Sequence, residues 1–317
     1  MQTFNKHYDL AIAWTWDLDK DFVSAIEAAA RNLGVSVIQV TTHNLDEVTR
    51  RISDGSLTIA GYFDRASDED EQFLSITSMV ENRFSANGTS SILTINPRTK
   101  AQRASDKATM HLELTAKGVR VPQSLIIPSF EEKSDYLLSA EDLTSLGSRF
   151  VVKPANSTGG SNGVRIGISS WEQVQEARES LRHDKFLLQE RIKPAYLGDF
   201  RAWFRVFYAF GDTILCWWDD QTHVYEEVSF EDRQNFSLSV LHDSIRRIQE
   251  VCELDFFSTE FAYATAGEFV AIDYVNEICD MRPQSKFSNG VPDRVVTAIS
   301  IGLVRFFLEK KTHPPTY

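Results

Sequence analysis

Three cysteines, Cys216, Cys252 and Cys279, stand far apart in this chain, with no CxxC pair among them. Neither a disulfide framework nor a cysteine-ligated zinc site is suggested, and each thiol is expected to fill a core position. The seven histidines show no HExxH motif and no clustering, which argues against histidine-based metal chemistry. No charged-then-apolar signal opens the chain, and no apolar run approaches membrane-spanning length. A cytoplasmic protein with no membrane partner is therefore expected. Positive charge is scarce too, with 33 Lys+Arg against 45 Asp+Glu and a net charge of −12. That balance carries no general nucleic-acid footprint, and the long Lys/Arg runs that hold acidic membranes are missing. The cations that exist must be read as local sites. There is no internal repeat and no low-complexity segment.

What is present is ample apolar content, 42% over 317 residues, enough for two or three packed units. The first hundred residues alternate between strand and helix patterns. Tyr8 to Trp14 reads as a buried strand, and Phe22, Ile26, Ala29 and Leu33 recur at helical spacing before Gly34 stops the helix. Strands are expected at Val35–Val40, Leu57–Tyr62 and Ser91–Ile95, with helices at Asn44–Ile52 and Phe73–Val80. Such alternation implies a parallel sheet covered on both faces. Its strand ends commonly form a ligand crevice, for which Trp14, Trp16, Asp17, Asp64 and Arg65 are candidates. Core packing for the aromatics and solvation for the charges is the simpler explanation.

Ser105 or Asp106 caps a helix that runs through Met110, Leu112 and Leu114 to Lys117, where Gly118 ends it. Lys107 falls in its first turn, an unfavourable dipole position for a cation. It is either a tolerated surface residue or the partner of an anionic ligand, and position alone favours the surface. Lys153 ends the apolar run Phe150-Val151-Val152 and is followed by a small-residue loop, Ala155 to Gly163, then a second β-like run, Val164 to Ile168. Small residues let backbone N–H groups approach an anion, and the ammonium adds a point charge. The loop leads into a strand rather than a helix, so it is neither a Walker loop nor a dinucleotide fingerprint. On loop chemistry alone an ordinary surface hairpin is the commoner outcome.

Beyond it come a helix over Trp171–Leu181 and a strand over Phe186–Glu190. Alternating runs at Phe200–Phe210 and Thr213–Trp218 are joined by Gly211-Asp212. A helix follows over Leu238–Cys252, then a hairpin of Phe256–Tyr263 and Glu268–Val275, and a closing helix over Val291–Leu308. The second half reads as an antiparallel α+β unit.

The order of these parts resembles the ATP-grasp superfamily, whose members include D-alanine–D-alanine ligase, glutathione synthetase and the ribosomal-protein glutamate ligases. The resemblance rests on Asp106-Lys107 at a helix start, Gly118-Val119-Arg120-Val121-Pro122, Val151-Val152-Lys153-Pro154 with its loop, Leu188-Gln189-Glu190-Arg191-Ile192, Gly198-Asp199-Phe200-Arg201, and acidic residues on paired strands with Asn276. It covers about Asp106 to Asn276. It implies an α/β plus α+β chain: a parallel α/β pre-ATP-grasp domain over 1–105, a lid subdomain with the phosphate loop over 106–190, and an antiparallel C-terminal α+β domain with metal and substrate sites over 191–317.

The resemblance further implies that Lys107 and Lys153 approach the phosphates of ATP, under a lid that includes Ser157, Thr158, Gly159 and Gly160. Gln189, Glu190, Arg191 and Ile192 become the adenine hinge, and Asp199 the ribose acceptor. Glu260 and Asp273 on adjacent strands, with Asn276, supply hard oxygen ligands for Mg²⁺. Asp273 and Asn276 stand three apart where the family pattern has two, and simple alternation puts them on opposite faces unless a bulge intervenes or Glu277 coordinates instead. Arg201 and Arg205, an even number apart, are expected to share a face. Those two and Arg282 are candidates for phosphate and for the oxyanion of acyl transfer, or else surface ion-pair partners. The implied activity is ATP-dependent ligation of a small-molecule carboxylate to an amine, with a homodimer as the family-level expectation and no nucleic-acid partner. A small-molecule kinase and a silent nucleotide-binding module are the alternatives. Trp217–Asp220, Tyr225–Glu227 and Cys279–Ser285 are expected to border the acceptor site.

Overall fold

The computed structural model describes residues 6–86, 92–156 and 162–312, to which all structural statements refer. The first apolar runs form β1 (Lys6–Trp14), β2 (Val37–Val40), β3 (Leu57–Arg65) and β4 (Leu93–Ile95), connected through α1 (Lys20–Asn32), α2 (Leu45–Ser53) and α3 (Leu74–Ala86). The strands pair in parallel in the order β2-β1-β3-β4. Leu10 and Ile12 of β1 enter a core with α1, while Ala11 and Ala13 enter another with α2 and α3. Burial on both faces explains why the strand reads as an unbroken apolar run.

Next come α4 (Arg98–Ser105) and α5 (Lys107–Ala116), then β5 (Ser124–Ile127), α6 (Ala140–Ser145), β6 (Phe150–Pro154), β7 (Arg165–Ile168), α7 (Trp171–Ser180) and β8 (Phe186–Glu190). β5, β8, β6 and β7 make an antiparallel sheet in that order, with Val174 and Ala177 of α7 in its core. The rest is β9 (Tyr196–Leu197), β10 (Phe200–Arg201), β11 (Trp203–Ala209), β12 (Asp212–Trp218), β13 (Tyr225–Glu227), α8 (Phe230–Asn235), α9 (Ser239–Cys252), β14 (Phe256–Tyr263), β15 (Phe269–Asn276) and α10 (Asp293–Thr312). An antiparallel sheet runs β13-β12-β11-β14-β15. The architecture is thus α/β plus α+β, as the sequence implies.

Two local expectations are corrected. The run Phe200–Phe210 is not one strand: it breaks at Ala202, whose N–H donates to Ala195 O while its carbonyl accepts from Tyr263 N. The hairpin turn is Phe210-Gly211, one residue earlier than expected, with both residues at positive φ (59° and 101°). That geometry matches the strand twist, and glycine makes the second position easy. The helices α6 and α8 and the strand β13 are too short to leave a periodic signature, and the sequence reading passed over them.

Packing crosses the boundaries drawn from sequence. One face of the five-stranded sheet shares a core with β1, α1 and α10, and the other face packs on α4, α5 and α9. α5 therefore sits on the sheet of the last unit, and α10 returns to the first. Gly61 of β3 makes room for it, since a Cβ there would lie 2.6 Å from the Phe307 ring. The three cysteines are free and buried, as expected. No described helix is long and apolar enough to cross a membrane.

At the end of α10, Lys311 Nζ meets Asp9 Oδ1 of β1 at 2.7 Å. Burial alone would raise the Asp9 carboxyl, but the bonds from Lys311 and Ser36 outweigh it and hold it down at about 2. Its folded pKa lies below the unfolded one, so the pair's contribution is present above about pH 4 and is lost as pH falls towards 2. Lys311→Met is expected to cost about 1 kcal/mol at pH 7 and little near pH 2. Urea midpoints across that pH range check it.

Candidate active site

β14 and β15 set Glu260 directly opposite Asp273, and Ser258 opposite Asn276. Between those two pairs β14 advances two residues and β15 advances three, which is a bulge. The three-residue spacing of Asp273 and Asn276 is absorbed there, and the register returns Asn276 to the face of Asp273. On the other side of β14, Arg205 of β11 lies opposite Glu260. Arg205, Glu260 and Asp273 therefore form a row across three strands.

Side chains complete the row. Arg205 Nη2 meets Glu260 Oε1 at 2.8 Å, and Trp203 Nε1 donates to Glu260 Oε2 at 3.2 Å. Lys107 Nζ meets Asp273 Oδ1 at 2.7 Å, and Lys153 Nζ donates to the Ile272 carbonyl at 3.0 Å. Only 12% of the Lys107 side chain is exposed, so the surface reading is wrong for it. Its place at a helix start is compensated, because the Asp106 carboxylate accepts from Ala108 N and Thr109 N. The Lys107 N–H donates to Ala155 O (2.9 Å), which ties the start of α5 to the end of β6 and brings the two lysines together.

Burial alone would raise the Asp273 carboxyl, but Lys107 and Lys153 hold it well below the ordinary range. Burial lifts the Glu260 carboxyl, with Arg205 opposing and Asp273 adding to the rise. Burial works against the Lys107 ammonium, yet Asp273 carries its pKa above the usual value. Burial lowers Lys153, with Asp273 pulling the other way and Lys107 pushing it further down. The row is a compact set of mutually dependent charges.

The remaining candidates are placed as follows. Gln189 is buried, and its Nε2 donates to Tyr274 Oη (2.7 Å) and Ser124 Oγ (3.0 Å). Tyr274 Oη in turn lies at hydrogen-bond distance (2.7 Å) from His111 Nδ1, a ring whose protonation burial disfavours. The side chain of Gln189 thus ties β8 to β15. Glu190 Oε1 accepts from Gln123 N (2.8 Å), which commits that oxygen to the fold rather than to an adenine amine. Arg191 is exposed, and Ile192 packs against the shared core. Asp199 is exposed in the tight turn after Gly198, which stands at φ 61°.

Arg201 does not share a strand or a partner with Arg205: it lies on β10 and forks onto Asp220 (2.7 and 2.9 Å). Arg282 pairs with Asp280 at 2.6 Å. Neither reaches the row. Ser157, Thr158, Gly159 and Gly160 lie outside the described residues. At the loop's near end, Asn156 N donates to the Asp184 carboxylate. The segments expected around the acceptor meet at one place, where Gln284 Nε2 donates to Tyr225 O (2.9 Å) and the Arg205 guanidinium lies 4.7 Å from the Trp218 ring centre. Trp203, Tyr274, His111 and Trp218 were not assigned these roles from sequence. Even spacing between Trp203 and Arg205 on one strand was the only available signal.

The residues fit a hard divalent cation. Two carboxylates sit on facing positions of adjacent strands with an amide at the next register point, all oxygen donors. Among the described residues no cluster of three or more His, Cys, Asp or Glu could hold a metal alone. A cation here would complete its shell with phosphate and water oxygens.

No protein-family model matches the chain, and no curated protein matches it in sequence. Solved structures do. D-alanine–D-alanine ligase of Bacillus anthracis, complexed with ATP, superposes with a TM-score of 0.67 at 12% identity, over 98% of this chain and 100% of that one. The ATP-grasp ligase PsnB, complexed with minimal precursor, Mg and ADP, gives 0.61 at 14% identity over 96% and 98%. The macrocyclase MdnB of Microcystis aeruginosa gives 0.60 at 13% identity over 95% and 99%.

Glu260→Gln leaves the Arg205 guanidinium buried without its counter-charge and is expected to cost about 2–4 kcal/mol of folding stability. Adding Arg205→Met to the same chain should recover at least half of that loss. Denaturant unfolding of the single and double variants reads the coupling.

Proposed function

From the ATP-grasp fold of this chain and the chemistry of its charge row, we propose that it is an ATP-dependent carboxylate–amine ligase, forming an amide or peptide bond with release of ADP and phosphate. The observation that carries this reading is the row Arg205–Glu260–Asp273, with Lys107 and Lys153 delivered onto it from α5 and β6. An ATP phosphate tail offers both lysines a competing anion, and a lysine that turns to phosphate frees the Asp273 carboxylate or the Ile272 carbonyl. Glu260 and Asp273, with Asn276, would then hold Mg²⁺. Bound there, the ion would supply positive charge to offset the charge that develops on the phosphates.

The protein's own part is positional. Lys107 and Lys153 hold the phosphates in line for attack by the substrate carboxylate oxygen. The bond to ADP breaks as the acyl phosphate forms. An amine then attacks the acyl carbon, the C–O bond to phosphate breaks, and phosphate leaves. Positioning and charge carry such a reaction, so no triad or catalytic histidine is needed. Arg205, over the Trp218 ring, keeps a buried Nε–H that has no partner among the described residues, a donor suited to an oxyanion or phosphate oxygen. The backbone around Glu190 to Ile192 serves as the adenine hinge and Asp199 as the ribose acceptor in this reading. A silent nucleotide-binding module was favoured only by the Asp273–Asn276 spacing, and the bulge removes that ground.

Lys153→Ala is expected to abolish the thermal stabilisation that Mg·ADP gives the parent chain and to cut ATP-dependent phosphate release by about 100-fold or more. Full ADP release by the variant at saturating substrate would show that Lys153 is not at the phosphates.

A further inference from the structure

The Arg205–Glu260 pair at the centre of the row is only half made. A guanidinium beside a carboxylate commonly closes a fork of two parallel N–H···O bonds. Three other arginines of this chain close it through Nε and Nη2. Arg65 forks onto Asp19 (2.8 and 2.6 Å), Arg201 onto Asp220 (2.7 and 2.9 Å) and Arg282 onto Asp280 (3.0 and 2.6 Å). Arg205 makes only one of the two bonds, Nη2 to Glu260 Oε1 at 2.8 Å. Its Nε–H is buried with no partner among the described residues. Glu260 Oε2, the oxygen that would complete the fork, accepts instead from Trp203 Nε1 at 3.2 Å.

The sheet explains how the indole gets there. Trp203 and Arg205 stand two apart on β11 and share a face, with Ala262 opposite the first and Glu260 opposite the second. Ala262 is small, so the ring has room to lean along the strand towards Glu260. The ring itself belongs to the core shared with β1, α1 and α10, which fixes its N–H. A buried indole N–H usually finds an acceptor, but this choice leaves a guanidinium donor buried and unpaired, which is costly to folding. The arrangement suits a donor that is held for a ligand.

We propose that Trp203 is a positioning residue that keeps the Arg205–Glu260 fork open and so reserves the Arg205 Nε–H for an oxygen of the transferred γ-phosphoryl group. This rests on the ligase reading and adds a residue that the reading does not contain. The ion pair does not need Trp203, because Nη2 already holds Oε1. Without the indole N–H, Oε2 is free to take Nε–H, and the fork closes as it does at Arg65, Arg201 and Arg282.

The test titrates the whole chain, with Mg²⁺ present, by calorimetry with ADP and with the β,γ-imido analogue of ATP. Trp203→Phe should weaken the analogue about tenfold and change ADP, which has no γ-phosphoryl group, by less than about twofold. In an Arg205→Lys background, where no fork can form, adding Trp203→Phe should weaken the analogue by less than about twofold further. Circular dichroism melts check folding, and Trp203→Leu, which also lacks the N–H, repeats the reading if Trp203→Phe does not fold. The proposal is overturned if ADP and the analogue weaken equally, if neither weakens, or if the full loss persists beside Arg205→Lys. A parent chain that binds neither nucleotide sinks the ligase reading, and this inference with it.

Discussion

Two carboxylates set side by side in a buried sheet cannot stand without cations, and the arrangement around Glu260 and Asp273 follows from that constraint. At an effective dielectric near 20, unit charges a few ångströms apart interact by about 4 kcal/mol, so the repulsion must be met locally. Arg205 meets it on β11, Lys107 from the start of α5 and Lys153 from the end of β6. Three elements that are remote in sequence converge because the pair needs three positive groups. Under the proposed function, an anion that drew the lysines away would leave the carboxylates ready for a cation.

The fold holds this set by devices that each have a local cause. The Asp106 cap offsets a cation at a helix start, and the Lys107 N–H bond to Ala155 O joins helix to strand. A buried polar chain from His111 through Tyr274 and Gln189 to Ser124 fastens α5, β15, β8 and β5 beneath the row. A second fastening lies towards the parallel sheet. Arg65, fully buried, forks onto Asp19 and donates to Cys279 O at 2.9 Å. The first unit is thereby tied to the segment that follows β15. The crevice candidates divide accordingly: Arg65 is structural, Trp14 binds Gln39 through its ring nitrogen, and Asp64 holds a turn at the end of β3.

Much of this was legible in the sequence. Alternating apolar runs in the first hundred residues named a parallel sheet because strands buried on both faces carry no polar alternation. The cap at Asp106 and the stop at Gly118 placed α5 within a residue. Glu260, Asp273, Lys107 and Lys153 are marked in the sequence by residue type and by their order along the chain, and the fold brings them together. What the sequence hid were register and competition. A bulge inserts a residue without any compositional mark, so Asn276 looked misplaced. Glu190 looked free for a ligand, yet a neighbouring backbone N–H claims one of its oxygens. Arg201 looked like a companion of Arg205, but a one-residue break at Ala202 turns it onto Asp220. Tertiary partners decide such cases, and local pattern does not record them.

The central claim is that the carboxylate pair is already neutralised by protein cations until phosphate draws the lysines away. Mn²⁺ titration, read by water-proton relaxation enhancement with and without a non-hydrolysable ATP analogue, tests this most directly. Metal binding should be weak in the free protein and strengthen by at least about 100-fold when the analogue is present. Equally tight metal binding without nucleotide would contradict it.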